Sequence, residues 1–184
     1  MLYSDVMDRV RRVVTEMLQD RGYDHMEWPT ETTMNAKNDS DQRILVYFVM
    51  SPKVSVKKIK LIKDLIEEDH EGFSCLIIVC KGSITSFAKQ FITTDVNNLI
   101  VQVFSEKELA FNITKHELVP KHELLSEQET MDIKTRYKTK LKHFPNLLAT
   151  DPVAKYYGYM PGNLVRITRK SPTAGEYVSY RVVV

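Results

Sequence analysis

Glycine, cysteine and tryptophan are scarce in this chain, with six, two and one among 184 residues. So few glycines leave no glycine-rich phosphate loop. Neither a P-loop, nor G-x-G-x-x-G, nor G-x-S-x-G occurs, and Gly158 and Gly162 read as turn glycines. Cys75 and Cys80 are the only thiols. A structural zinc centre needs four ligands, and this pair has no further partners. Five residues apart on an apolar strand, they face opposite sides, so a disulfide between them is not expected. Two buried thiols in a reducing compartment are the reading. No apolar run approaches the roughly 20 residues that cross a bilayer. The amphipathic, charged stretch 4–20 is no secretory signal, so an intracellular protein without membrane contact is expected. Neither sign of charge dominates: the net charge is +2, against a freestanding nucleic-acid binder with a strongly basic face. Internal repeats and low-complexity tracts are absent as well.

What remains is an ordinary globular composition, 43% hydrophobic and 27% charged, long enough for one large or two small domains. Charge is uneven along it. Residues 113–184 carry 12 Lys+Arg against 7 Asp+Glu, and the first 112 carry 14 against 17. The basic excess is therefore local and suits a polyanion or an acidic partner surface. Val6, Val10, Val13, Met17 and Leu18 share one helical face, and Gly22 offers its left-handed stop. Residues 27–43 are polar and turn-rich, with 30–36 an edge strand. Apolar runs at 44–50, 76–80 and 99–104 read as buried strands, separated by helical spacing from Val56 to Ile66 and over 84–94. That rhythm predicts an α/β domain over 1–112 with a mostly parallel sheet.

After Phe111 the rhythm changes. Ser126 with Glu129 is a capping box, opening a helix to about Lys140. Asp151-Pro152 starts a short helix that Gly158 closes. Residues 164–169 and 177–184 alternate as two strands around a seven-residue loop. These features predict a small α+β domain over 113–184.

Three segments stand out in that second domain: ITKHELVPKHELL at 113–125, DPVAKYYGYMPGN at 151–163 and RKSPTAGEYVSYRVVV at 169–184. They crowd polar, turn-forming and aromatic residues without aligning a nucleophile, a base and oxyanion donors. In this order they resemble the fifth subunit shared by eukaryotic RNA polymerases I, II and III, whose patterns run I-T-x-H-E-L-V-P-x-H, then D-P-V-A-[RK]-Y-[FY]-G, then R-P-S-E-T-A-G-R-Y-x-x-Y-R. The archaeal counterpart of that subunit corresponds to this C-terminal part alone. The first domain matches more loosely, through Asp20-Arg21-Gly22-Tyr23 and Pro52-Lys53-Val54. Between them the chain is shorter than the family and lacks a helix after Tyr23. Thr85-Ser86-Phe87-Ala88-Lys89-Gln90 stands where the family has T-P-S-A-K-Q. At the tail Lys170 replaces a proline, and Pro172 the glutamate.

The resemblance implies a non-catalytic subunit of DNA-dependent RNA polymerase acting in the nucleus. It implies an N-terminal jaw domain of restriction-endonuclease-like fold beside downstream DNA. It also implies a C-terminal assembly domain held by the largest subunit within the multi-subunit polymerase. Partner-binding residues would be His116, Pro120, Asp151, Pro152, Tyr156, Gly158, Arg169, Thr173, Gly175, Tyr177, Tyr180 and Arg181. Tyrosines suit an interface because each joins apolar area to a hydroxyl. Arg169 and Arg181 are expected to bind carboxylates or carbonyls around the loop at Gly175. DNA-proximal residues would be Thr85, Ser86 and Lys89, with Lys57 and Lys60 on the preceding helix making sequence-independent phosphate contacts.

The other reading is a freestanding DNA-processing or DNA-binding protein using the α/β domain. A nuclease needs clustered carboxylates for a divalent metal, commonly with D/E-x-K on a strand. The chain's one such triplet is Asp132-Ile133-Lys134, inside the capped helix, where it reads as solvated surface. His116 and His122, flanking Glu117 and Glu123, are interrupted by Pro120, so their spacing is not that of a helical metal motif. No catalytic, metal or cofactor site is expected.

Overall fold

The computed structural model describes residues 3–51, 53–68, 72–94, 99–171 and 175–184. The chain divides into two compact units, Met1–Phe111 and Asn112–Val184. The first opens with helix α1 (Tyr3–Asp20). Met7, Val10, Val14, Met17 and Leu18 recur every three or four residues and are buried, so the apolar stripe centres one residue beyond Val6. Gly22 ends the helix at φ 84°, and Tyr23 N–H donates back to the Leu18 carbonyl at 2.9 Å. That left-handed stop is open to glycine at little steric cost.

Strand β1 (His25–Thr30) follows directly, then β2 (Thr33–Lys37) and β3 (Arg43–Val49), all antiparallel neighbours. A short strand β4 (Lys53–Val54) and helix α2 (Val56–Glu68) lead to β5 (Phe73–Cys80). Next come β6 (Ser83–Ile84), α3 (Ser86–Thr94) and β7 (Ile100–Ser105). Sheet order is β1-β2-β3-β5-β7, with β3, β5 and β7 parallel, and β4 pairs with β6 in a separate two-stranded ladder. The sheet is thus mixed, which corrects the expectation of a mostly parallel one: only the β3·β5·β7 half needs crossover helices. The edge strand expected at 30–36 is corrected: Thr33–Lys37 is an inner strand between β1 and β3, and the true edge, β1, escapes pattern reading because it is exposed with no burial alternation. Trp28 helps fix it there, stacked on Phe48 with centroids 5.7 Å apart and under the Arg11 guanidinium at 5.3 Å.

Helix α3 starts two residues later than its apolar spacing predicts. Ser83 and Ile84 pair in register with Lys53 and Val54, and Thr85 Oγ1 accepts the Ala88 N–H at 3.3 Å. Leu76, Ile78 and Cys80 pack with Ile59, Ile62 and Ala88 of the helices. The opposite face carries Cys75 and Ile77; Gln102, in register with Ile77, accepts a 2.9 Å bond from Arg21 at the end of α1. Central strand β5 is therefore buried on both sides, as its unbroken apolar run requires.

The second unit begins with a 3-10 turn (Ile113–Lys115), β8 (Lys121–Leu124) and α4 (Glu127–Arg136). Ser126 and Glu129 form the capping box in both directions. The helix stops at Arg136 rather than near Lys140, because Lys138 turns left-handed at φ 49° and Thr139 N–H donates to the Lys134 carbonyl at 3.1 Å. A non-glycine residue there costs about 1 kcal/mol. A second 3-10 turn (Leu141–His143), β9 (Asn146–Leu147), α5 (Pro152–Tyr157), β10 (Leu164–Ser171) and β11 (Gly175–Val183) follow. The β10–β11 ladder runs as far as Ser171 opposite Gly175, longer than the seven-residue loop expected from sequence. Sheet order is β8-β10-β11-β9. Val165, Ile167 and Val183 pack with Ala154 of α5; Leu164 and Val182 pack with Ile133 of α4 and Phe144.

Both thiols are inaccessible, and burial pushes the Cys75 pKa up to about 11. Thiolate is the reactive form, so both should resist alkylation in the native chain. Labelling at neutral pH should modify no thiol before denaturation and two after it. One fast-reacting thiol in the native state would contradict this packing.

Candidate functional site

The three dense segments all lie in the second unit, and their residues divide into two groups. The first group builds the scaffold. Asp151 Oδ1 accepts the N–H groups of Val153 at 2.9 Å and Ala154 at 3.3 Å, and Pro152 occupies the first helical position of α5. Gly158 ends that turn and a half at φ 71°. Tyr156 is buried, edge-on to Tyr157, and Tyr157 stacks on Tyr159 at 5.3 Å. The Tyr159 hydroxyl donates to the His122 carbonyl at 3.3 Å, and burial raises its pKa. Asp151, Pro152, Tyr156 and Gly158 thus form one capped turn in which Tyr156 is buried, Asp151 and Gly158 are half-buried and Pro152 is exposed.

The second group is presented to solvent. Asn112 Oδ1 accepts from Thr114 N–H at 3.0 Å and from its hydroxyl at 2.6 Å, starting the tight path of 113–120. His116 Nδ1 then accepts the Leu118 N–H at 3.2 Å, and His122 Nδ1 lies 2.8 Å from the Pro120 carbonyl. Both imidazoles are therefore engaged with nearby backbone. This path throws Leu118 outward, 84% exposed. Arg169, directly across from Tyr177, holds its guanidinium 4.8 Å from the ring centroid. Leu118, Pro120, Lys121, Arg169 and Lys170 line one open groove of about 610 Å³. Glu117 and Glu176 line it too, whereas His116 and Tyr177 do not, each meeting it through one neighbour: His116 through its bond to Leu118, Tyr177 through Arg169.

Other members of the expected set lie elsewhere. Tyr180 meets Tyr137 edge-on at 5.9 Å, on the α4 side of the sheet. The Arg181 guanidinium donates to the Asn146 carbonyl at 2.8 Å, tying β11 to β9. Gly175 takes φ 71° with no atom within 4 Å of a built Cβ, so a side chain there meets backbone strain and no clash. Thr173 lies outside the described residues.

In the first unit, Thr85 N–H donates to the Val54 carbonyl at 3.3 Å, so α2 and α3 begin side by side. Lys57 and Ser86, in the first turns of these helices, are both exposed. The Thr85 hydroxyl is already committed to capping α3. Lys60 Nζ sits 5.1 Å over the Phe91 ring and ties the helices together. The side chain of Lys89 lies outside the description, as does that of Lys63. Phe87, 80% exposed, is an outward aromatic that no periodicity flagged. Asp132 accepts from Gln128 at 3.2 Å on the surface of α4, one turn along the same helix. Among the described residues no group of three His, Cys, Asp or Glu gathers to hold a metal, and no helix is long and apolar enough to cross a membrane.

Residues 111–183 match the family described as RNA polymerase Rpb5, C-terminal domain. Similarity extends well beyond that unit. A Dictyostelium discoideum protein named as a subunit of DNA-directed RNA polymerases I, II and III is 38% identical, covering 96% of each chain. The Caenorhabditis elegans protein of the same name is 35% identical over 96% of this chain and 94% of its own. The chain belongs to the Rpb5 family. An Arabidopsis thaliana polymerase subunit 5-like protein is 33% identical with the same coverage. Rpb5 proteins are non-catalytic subunits shared by the polymerases.

One exposed ionisable node joins α4 to the sheet in this Rpb5-family unit. Glu129 accepts from the Ser126 backbone N–H at 2.9 Å and its hydroxyl at 3.0 Å, and pairs with Arg166 at 3.0 Å. These bonds hold the Glu129 pKa below its ordinary value. Its contribution to stability is present above the unfolded pKa and lost as pH falls through the depressed folded one. Glu129→Gln should therefore flatten the acid limb of stability against pH, measured by denaturant midpoints. Superimposable acid limbs for the two proteins would show that the node does not couple to folding.

Proposed function

We propose that the chain is a structural subunit of nuclear DNA-dependent RNA polymerase. Residues 113–184 dock it on the largest subunit, and residues 1–112 stand as a jaw beside downstream DNA. The observation that carries this reading is the 96% coverage by a subunit of polymerases I, II and III, which spans both units. The groove supports the docking part. Leu118 and Tyr177 offer apolar area, and Arg169 a guanidinium already oriented by the ring beneath it. Beside them β8 is an edge strand of its sheet, open to pairing. The restriction-endonuclease-like character of the jaw is part of the same proposal, supported by a mixed sheet with crossover helices after an antiparallel meander. Contact with DNA is assigned to Lys57, Lys60, Ser86 and Lys89, through phosphates and without base reading.

Tagged protein should co-purify the largest polymerase subunit, and deletion of 113–184 should abolish this. Arg169→Glu combined with Tyr177→Ala should weaken the association by roughly thirtyfold or more, the scale of losing about 2 kcal/mol at an interface anchor. Undiminished co-purification by the deletion would refute the docking assignment. Crosslinks to downstream DNA from Ser86 in assembled polymerase would support the jaw; their absence there, with efficient crosslinking elsewhere, would remove that role.

The units are also proposed to fold independently across a boundary near residue 112. Limited proteolysis should leave a protected fragment of about 70 residues from the C-terminal side. A single cooperative loss of both halves would count against it.

A further inference from the structure

The end of α4 and the 3-10 turn after it form a basic hollow that neither docking nor the jaw uses. Thr139 N–H binds back to the Lys134 carbonyl and Tyr137 N–H to the Ile133 carbonyl, so the helix end is satisfied by backbone and its lysines are not needed as caps. Leu141 and Phe144 of the next turn point into the core with Ile133 and Val182. That leaves Lys140, Lys142 and His143 facing outward from the turn. Together with Lys134 and Lys138 they line a hollow of about 600 Å³, and no carboxylate lines it. None of the four lysines forms an ion pair among the described residues. The nearest acid in sequence, Asp132, accepts from Gln128 instead.

Lys134 alone has a bland explanation, since a cation in the last turn of a helix is stabilised by its dipole. The others lie past the helix, where converging ammonium groups repel one another. A partner supplying negative charge relieves that repulsion. Met131 decides which kind. Its thioether, 61% exposed, lies on the wall of the same hollow and offers an adaptable apolar contact. A phosphodiester backbone has no use for it. Single-strand binding needs aromatic or arginine planes for the bases. The lining holds no arginine and one imidazole, His143; Tyr137 does not line it and, though 54% exposed, packs edge-on between Phe144 at 6.0 Å and Tyr180 at 5.9 Å.

We propose that this hollow is a docking site for a short acidic protein segment carrying an apolar side chain. Carboxylates would meet Lys134, Lys138, Lys140 and Lys142, and the apolar side chain would rest on Met131. The site is separate from the groove at Arg169 and does not rest on the polymerase assignment.

The test uses the full-length chain and fluorescence anisotropy. One probe is a labelled peptide of about ten residues with aspartates and glutamates around a central leucine. The others are the same peptide with the leucine replaced by serine, and a single-stranded oligonucleotide of equal charge. The leucine peptide should bind most tightly, and the affinity should fall as salt screens the lysines. Lys140→Glu with Lys142→Glu should weaken it at least tenfold, with the thermal transition unchanged. Lys140→Gln with Lys142→Gln should weaken it less. Met131→Glu should abolish the advantage of leucine over serine. Equal or tighter binding of the oligonucleotide, with the same lysine dependence, would overturn the proposal in favour of a general polyanion site. Peptide binding indifferent to the lysine variants, or no peptide binding at low salt, would overturn it outright.

Discussion

Strand β10 is hydrogen-bonded along both edges, to β8 and to β11, and its side chains feed two cores at once. Leu164 points toward α4, while Val165 and Ile167 point toward α5. A small domain buries only a modest share of its surface, so a strand that fills both faces carries a disproportionate load. Arg166, between those residues, reaches Glu129 in the capping box of α4 and approaches Glu123 on β8. Exposed ion pairs of this kind are individually worth little. Their consequence here is geometric: they fix where helix α4 starts relative to the sheet, and hence where its far end and the lysines beyond it must fall.

The groove at Arg169 inherits its shape from the same strand. Thr168, opposite Lys121, and Arg169, opposite Tyr177, are consecutive β10 residues. The groove's floor is therefore set by ladder register, and its wall by the capped path from Asn112 to Pro120. Neither depends on a long mobile side chain finding its place. Leu118 can stand almost bare in solvent because the backbone around it is already bonded through His116 and Val119. Rigid presentation of an apolar residue lowers the ordering cost of binding.

The sequence was most legible where one local rule acts alone. The capping box at Ser126, the Asp151-Pro152 start and the Gly22 and Gly158 stops are local bonds, and each was readable from residue type. Continuous apolar runs gave away β3, β5 and β7 for a similar reason. What escaped was decided by tertiary partners. Strand β1 has no alternation because only one of its edges is paired and most of its side chains are exposed; its place depends on Trp28 meeting Phe48 from another strand. Ile84 reads as helix until Lys53 and Val54 supply a ladder to Ser83 and Ile84. The left-handed turn at Lys138 had no glycine to announce it.

The candidate site was legible as a set of segments and less so as a set of residues. Motif letters mark what a family retains, and that mixes residues that face a partner with residues that aim them. Asp151 and Tyr156 do the second job, since the Asp151 carboxylate caps α5 and the Tyr156 ring is buried, while Pro152 of the same turn is exposed. Arg181, although exposed, spends one guanidinium N–H on the Asn146 carbonyl. Arg169 has the same residue type and lies on the neighbouring strand, yet its guanidinium rests on the exposed Tyr177 ring. The difference comes from register. Arg181 sits opposite buried Val165 near the covered end of the sheet, whereas Arg169 sits opposite half-exposed Tyr177 toward its open end. Two arginines that a motif treats alike are separated by four steps along one hairpin; both are exposed, and what differs is the partner each guanidinium meets, a carbonyl for Arg181 and a ring for Arg169.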